Sequence, residues 1–233
     1  MRLVLISSAT QRDGSAQPFF SVVPAYVLLF KAEDGNWCID AARTELGRAV
    51  TCFLSPFDAM IEAAHFVRRG YSHQVMAASE IEESLFRDAD GRGLISDIHL
   101  GWSALDSRIL ARPDGAFGRG CRLMHHWAVD PAEFEVDGIT LTEYSRFREL
   151  AGLYAWQEPA TDILGSTDAR RQMLAECAIE SIERMRAEPK DCRQLALFDP
   201  EFEWHFVPYT ETAQWRHRVS SSTHHNLFSG NER

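Results

Sequence analysis

One helix with both ends marked, set between β-rich runs, constrains this chain more than any other feature. Ser55 has N-cap chemistry, Pro56 suits the first helical position, and Asp58 places negative charge in the first turn. Phe57, Met60, Ile61 and Ala64 recur at helical spacing and form one apolar face. Arg68 and Arg69 load the last turn, and Gly70 closes it. His65 and His73 flank that end, where an imidazole favours the helix dipole. Upstream, Ala25-Tyr26-Val27-Leu28-Leu29-Phe30 is rich in β-formers, and Trp37-Cys38-Ile39 resumes the apolar run. Between them Glu33-Asp34-Gly35-Asn36 supplies turn chemistry, so the pair reads as a hairpin. Short strands are expected at 49–54 and 74–78. Hairpin, strand, helix and strand in this order call for a sheet with a helix packed on it.

Residues 79–120 are polar and punctuated by Gly and Pro, and read as an irregular excursion or as a joint between two halves. A strand over 121–129 follows. A second helix is expected from Thr142 as N-cap, with Tyr144, Phe147, Leu150, Ala151 and Tyr154 on one face. A third should run from about 168 to 187, lined by Met173, Leu174, Cys177, Ala178, Ser181, Ile182 and Met185. Within it Glu180 and Arg184 form an i,i+4 pair. Residues 194–198 and 201–207 around Asp199-Pro200 read as a closing hairpin. Phe202, Trp204 and Phe206 alternate there with Glu201, Glu203 and His205. The expected architecture is α+β: an antiparallel or mixed sheet with about three main helices packed on it. It would be one domain over 1–211, or two halves, 1–79 and 121–211, joined by the irregular 80–120 segment. Residues 212–233 lose periodicity and read as a mobile tail. Leu54-Ser55-x-Phe57-xx-Met60 is echoed by Leu141-Thr142-x-Tyr144-xx-Phe147, which ordinary cap chemistry explains without duplication.

At 233 residues, 45% hydrophobic and 25% charged, the chain has the composition of a globular protein and needs no disulfide or metal to fold. Its formal net charge is −10. The last 18 residues hold three Arg and one Glu, which leaves the body at −12. A field of that sign repels phosphate backbones, so no nucleic-acid partner is expected and a basic protein is. Cys38, Cys52, Cys121, Cys177 and Cys192 contain no CxxC spacing, which argues against a disulfide framework or a zinc ribbon. Unpaired thiols without a secretion signal suit a reducing cytoplasm. The apolar stretch 19–30 is interrupted by Pro24 and is too short to span a membrane.

The sharpest local pattern is Asp88-Ala89-Asp90-Gly91-Arg92-Gly93-Leu94-Ile95-Ser96-Asp97-Ile98-His99, which resembles an EF-hand calcium loop. Asp88 and Asp90 stand at ligand places and Gly93 at the bend. Arg92 and His99 stand where oxygens belong, so no calcium site or other metal is assigned. Gly115-xx-Gly118-x-Gly120 precedes a strand instead of opening a helix, so no phosphate cradle is assigned to it. GxSxG, SxxK, HExxH and P-loop motifs do not occur, and no catalytic residue or cofactor is assigned. Charge clusters stand out instead. Residues 123–145 hold Asp130, Glu133, Glu135, Asp137 and Glu143 with no Lys or Arg. Residues 197–215 hold Asp199, Glu201, Glu203 and Glu211, again with no base. Both stretches carry aromatics. The expected binding surface is Asp130, Glu133, Phe134, Glu135, Asp137, Glu201, Glu203 and His205, with charge setting on-rate and aromatics anchoring. The function this suggests is a non-catalytic acidic cytoplasmic binding protein: an adaptor, an inhibitor or an immunity-type partner of a basic protein. The alternative is a small hydrolase-like enzyme assembled across the fold from Cys121, His125, His126, His205 and nearby carboxylates.

Overall fold

Eleven strands share one mixed sheet, with three helices, in the computed structural model, which describes residues 19–32, 34–127, 130–154, 163–186, 189–201 and 203–209. The expected tail at 212–233 lies outside the described residues. Strands β1 (Tyr26–Lys31) and β2 (Trp37–Ile39) form the hairpin expected from the sequence, with Leu29 opposite Ile39 and Gly35 at a φ of 82° in the turn. A second hairpin follows, β3 (Ala41–Thr44) and β4 (Gly47–Phe53), in which the Thr44 hydroxyl donates to the Gly47 carbonyl. Strand β3 went unread because Ala-Ala-Arg-Thr carries neither alternation nor a run of β-formers.

Helix α1 (Pro56–Arg68) starts at Pro56 as expected and packs on β1, β4 and β5 (Ser72–Ala77). Strand β5 pairs with β1 along its whole length, antiparallel, from Tyr26 opposite Ala77 to Lys31 opposite Ser72. Because β1 is antiparallel to β4 as well, β4 and β5 run parallel on either side of it, and α1 is the crossover between them. All residues of α1 from Pro56 to Phe66 are buried, so the helix is enclosed and not merely seated on one apolar face.

The segment 80–120 corrects the expectation of an irregular joint. It contains β6 (Leu94–Leu105), twelve residues long and the central strand of the sheet. Strand β6 runs parallel to β4, with Phe53 opposite His99, and antiparallel to β7 (Arg108–Ala111), β8 (Arg119–His126) and β10 (Gln194–Asp199). Gly101 sits where β6 meets β10: a Cβ there would stand 2.8 Å from Leu197 Cδ2.

Helix α2 (Gly138–Leu150) begins four residues before the expected cap. Tyr144 and Phe147 are buried as expected, whereas Leu150 and Tyr154 are exposed. Helix α3 (Asp168–Glu180) stops well short of 187, because β9 (Arg184–Arg186) joins the sheet parallel to β7. Its inward stripe is Ala175, Ala178 and Ile179, while Met173 and Cys177 face out. Strands β10 and β11 (Glu203–Pro208) form the closing hairpin, with Leu197 opposite His205, and Phe202 lies outside the described residues.

Two large apolar clusters form. Val50, Cys52, Ile98 and Met124 belong to one, with Phe134, Tyr144 and Phe147. Phe53 and Trp102 belong to the other, with α1 and α3. Cys52 and Phe53 are adjacent on β4, so alternation sends them to opposite faces of the sheet. All five cysteines are free thiols. Among the described residues no helix is long and apolar enough to cross a membrane.

Candidate functional site

The interior of the molecule is organised around a polar stripe on α1. Asp58, Glu62, His65 and Arg69 recur at helical spacing along one side of a helix otherwise lined by Phe57, Met60, Ile61 and Ala64. Enclosure of α1 carries Asp58, Glu62 and His65 out of water. The two carboxylates then require internal partners, since an unpaired buried charge is costly.

The partners are arginines from distant parts of the chain. Arg148 of α2 reaches Asp58 Oδ2 at 3.1 Å and donates through its other terminal nitrogen to the Phe198 carbonyl, also at 3.1 Å. Arg112, just after β7, donates to Glu62 Oε1 at 2.7 Å. Arg119 of β8 bonds Asp40 and stands 3.6 Å from Glu62 Oε1. Three buried arginines are thereby matched by Asp40, Asp58 and Glu62. His99 of β6 completes the cluster, packed against Phe53 and Trp102 with ring centroids at 5.1 and 4.5 Å. Its Nε2 lies 3.7 Å from Asp58 Oδ2, beyond hydrogen-bond length.

Burial and neighbouring charge set the protonation states. Burial pushes the Asp58 carboxyl up to about 6, with Arg148 opposing. Asp40 is also penalised by burial, but Arg119 beside it holds its carboxyl below the usual range. Burial, reinforced by Arg119 and Arg148, drives His99 well below the ordinary imidazole value, so this ring is neutral. His65 is lowered to about 4, chiefly by burial; Glu62 opposes the shift, and Arg112, Arg184 and Arg68 add to it.

The residues expected to form a binding surface are used differently. Asp130 accepts from the Ala132 amide at 2.9 Å and caps a short turn. Glu133 is exposed at the end of that turn. Phe134 corrects the expectation of an exposed anchor. Its ring is fully buried between Phe20 and Phe86, centroids 5.0 and 6.0 Å away, because the turn at Pro131 sends it into the core. The Glu135 carboxylate accepts from the Ser21 amide and hydroxyl at 2.7 and 2.6 Å. Asp137 caps α2, accepting from the Thr140 amide at 2.7 Å. Glu143 pairs with Arg122 at 3.1 Å. Glu201 and Glu203 are exposed at the β10–β11 turn, where Glu203 has a φ of 67°. His205 is half-buried on β11.

The four groups of the hydrolase-like alternative go to separate places. His125 Nε2 meets Asp88 Oδ2 at 3.0 Å, with Trp127 4.4 Å away. His126, next along the strand, stacks on Phe134 instead. Cys121 lies opposite His99 in the ladder, and burial and then Asp97 push its thiol well above the ordinary value. His205 stands opposite Leu197, on the far side of β10 from β6. Among the described residues no group of three His, Cys, Asp or Glu is arranged to hold a metal ion.

The calcium-loop resemblance also fails as geometry. Residues 88–93 form a tight turn closed by the Asp88 amide on the Gly93 carbonyl, with the Arg92 amide on Asp88 Oδ1. Arg92 pairs with Asp90. From Leu94 onward the chain is β6, and His99 is in the core. Gly93 is required for close approach: a Cβ there would lie 2.6 Å from His125 Nε2.

Sequence reasoning missed Glu62, His99, Arg112, Arg119 and Arg148. The available signal was the polar stripe itself, since acids at 58 and 62 on a helix with a strong apolar face predict either exposure or buried cationic partners. Comparison with protein-family models, with curated proteins and with solved structures gives no match for this chain. The fold and its interior define an α+β protein with a mixed sheet and an ion-paired core.

Proposed function

We propose that this chain is a non-catalytic, acidic, cytoplasmic binding protein that occludes a basic protein partner, as an adaptor, an inhibitor or an immunity-type protein does. The observation that carries the reading is the internal matching of charge. Arg112, Arg119 and Arg148 are each paired inside with Asp40, Asp58 or Glu62, so those arginines do nothing to offset the exterior. The net charge of −10 therefore falls on the remaining groups, where it sets a long-range potential. Such a potential steers a basic partner and rejects polyanions. Glu133, Glu201 and Glu203 are exposed and able to contribute. Trp127, 63% exposed a few residues from Asp130 and Glu133, supplies an aromatic contact in place of Phe134.

The test is affinity capture on the immobilised full chain at low ionic strength, followed by salt titration of what is retained. A basic protein should be held, with affinity falling steeply as salt rises. Reversing Glu133, Glu201 and Glu203 to Lys should slow its association more than it speeds dissociation. Retention of no basic protein at low salt would refute the reading.

A further inference from the structure

The polar stripe of α1 reaches the surface in a pocket of about 220 Å³. Its walls are His65 and Arg68 of α1, Arg69 at the helix C-cap, Arg184 of β9, and the turn at Asp114 and Gly115. Three guanidinium groups and one carboxylate on so small a pocket run against the sign of the whole molecule. Arg68 and Arg184 are close enough to repel: after burial, Arg68 is the next cause of the lowered Arg184 pKa.

Arg184 is held by supports that an arriving anion need not displace. Arg184 donates to the Ile179 carbonyl at 3.1 Å, and its guanidinium lies 5.5 Å from the centroid of Phe117. The same Phe117 ring packs edge-on to His65 at 4.5 Å. Arg68 pairs with Glu180 at 3.3 Å, a side chain 72% exposed, and exposed pairs of this kind exchange readily. Arg69 meets Asp114 at 2.9 Å and packs over Phe66. His65 provides the second, independent observation. It is 4% exposed and lines the pocket, and among the described residues its buried Nε2 has no hydrogen-bond partner. Gly115 leaves the rim open, with nothing within 4 Å of where a Cβ would stand.

We propose that this pocket binds the phosphate group of a small ligand, with Arg68 and Arg184 as charged donors and His65 Nε2 as the donor on the inner wall. A phosphate oxygen accepts from planar guanidinium groups in paired geometry, which suits a site built from arginines. Binding brings negative charge to an imidazole that otherwise faces Arg68, Arg112 and Arg184, with Glu62 and Asp114 as the nearby acids. Occupancy therefore favours protonated His65. The site is independent of the occlusion reading, since it attracts an anion where the rest of the exterior attracts cations.

The experiment is a titration of the full chain with inorganic phosphate at fixed ionic strength. It is followed by calorimetry and by the ring resonances of His65, with sodium chloride as the matched control. A saturable shift of the His65 resonances is expected with phosphate and not with chloride, together with a rise of the His65 pKa. Arg68→Gln should weaken phosphate about tenfold. Glu180→Gln, which frees Arg68, should tighten it. Arg184→Gln should weaken it at least as much as Arg68→Gln, and circular dichroism checks that this variant folds; Arg68 is a surface residue, so its variant carries the test either way. A parallel arm uses glycerol 3-phosphate. Tighter binding than phosphate identifies a phosphomonoester as the ligand, and equal binding identifies the free ion. Identical responses to phosphate and chloride, or phosphate binding that Arg68→Gln leaves unchanged, would overturn the proposal.

Discussion

Asp58 and His65 lie seven residues apart on one helix and act in opposite directions on stability as pH changes. Asp58 has a folded pKa of about 6 against 3.8 for the free group, so the folded state binds more protons between those values. Stability from Asp58 therefore falls as pH rises from 4 to 6, by about 3 kcal/mol in all. His65 has a folded value of about 4 against 6.5, so here the unfolded state binds more protons. Its contribution is complete above pH 6.5 and is lost as pH falls towards 4, by a similar amount. The two nearly cancel, and His99, also held neutral, adds to the His65 side. Asp58→Asn, which carries no titrating carboxyl, should therefore leave a steeper rise of stability with pH between 4 and 6.5 than wild type shows. Urea denaturation of wild type and variant across that range checks this; parallel profiles would show that Asp58 titrates as a free carboxyl. Gly93→Ala is a second expectation at this scale. Its Cβ would meet His125 Nε2 at 2.6 Å and the His126 carbonyl at 3.0 Å, so a loss of about 1–3 kcal/mol is expected in the same assay. Single residues were legible in part. Asp58 was placed correctly in the first turn, but as a charge on the helix dipole. Its partner Arg148 lies 90 residues away in sequence, and nothing local announces a contact of that range.

Elements were legible where local chemistry and burial agree. The two hairpins at 26–39 and 194–208 carry turn residues between β-forming runs, and the structure contains both. Strand β6 was hidden for a physical reason. It is buried on both faces, so it shows no alternation, and Ser96, Asp97, His99 and Ser103 interrupt its apolar run. Those polar residues are tolerated because of their surroundings; His99, for one, lies between aromatic rings beside the α1 stripe. The start of α2 was displaced by a similar ambiguity. Thr142 looks like a cap, yet its hydroxyl donates to the Gly138 carbonyl from inside the helix. Asp137 caps instead, through the Thr140 amide and hydroxyl at 2.7 and 3.0 Å. Asp137→Ala should accordingly cost about 1 kcal/mol, whereas Thr142→Ala should change stability by a few tenths at most. Thermal unfolding of the two variants separates the assignments, and a larger loss from Thr142→Ala would return the cap to the place the sequence suggested.

Across the whole molecule, β6 joins what looked like two halves, because it pairs with β4 from before the 80–120 segment and with β8 and β10 from after it. The buried ion pairs follow the same plan: Asp58 of the first half meets Arg148 of the second, and Glu62 of the first half meets Arg112 and Arg119 of the segment between them. Charge is thus sorted by depth, with matched pairs inside and an unmatched negative excess outside. Salt acts on these two populations unequally. Exposed charges repel one another within a Debye length of about 10 Å at 0.1 M, and added salt screens that repulsion. Pairs such as Asp58–Arg148, whose side chains are 1% and 4% exposed, are reached far less by mobile ions. Raising sodium chloride from low to moderate concentration should therefore raise the unfolding midpoint, even though the protein depends on ion pairs. Chloride suits the measurement because it is a poor match for the arginine pocket, where phosphate would add stabilisation by binding. A midpoint that falls as sodium chloride rises would mean that the attractive pairs, and not the surface excess, are what the solvent screens; the charge sorting that supports the binding role would then be wrong.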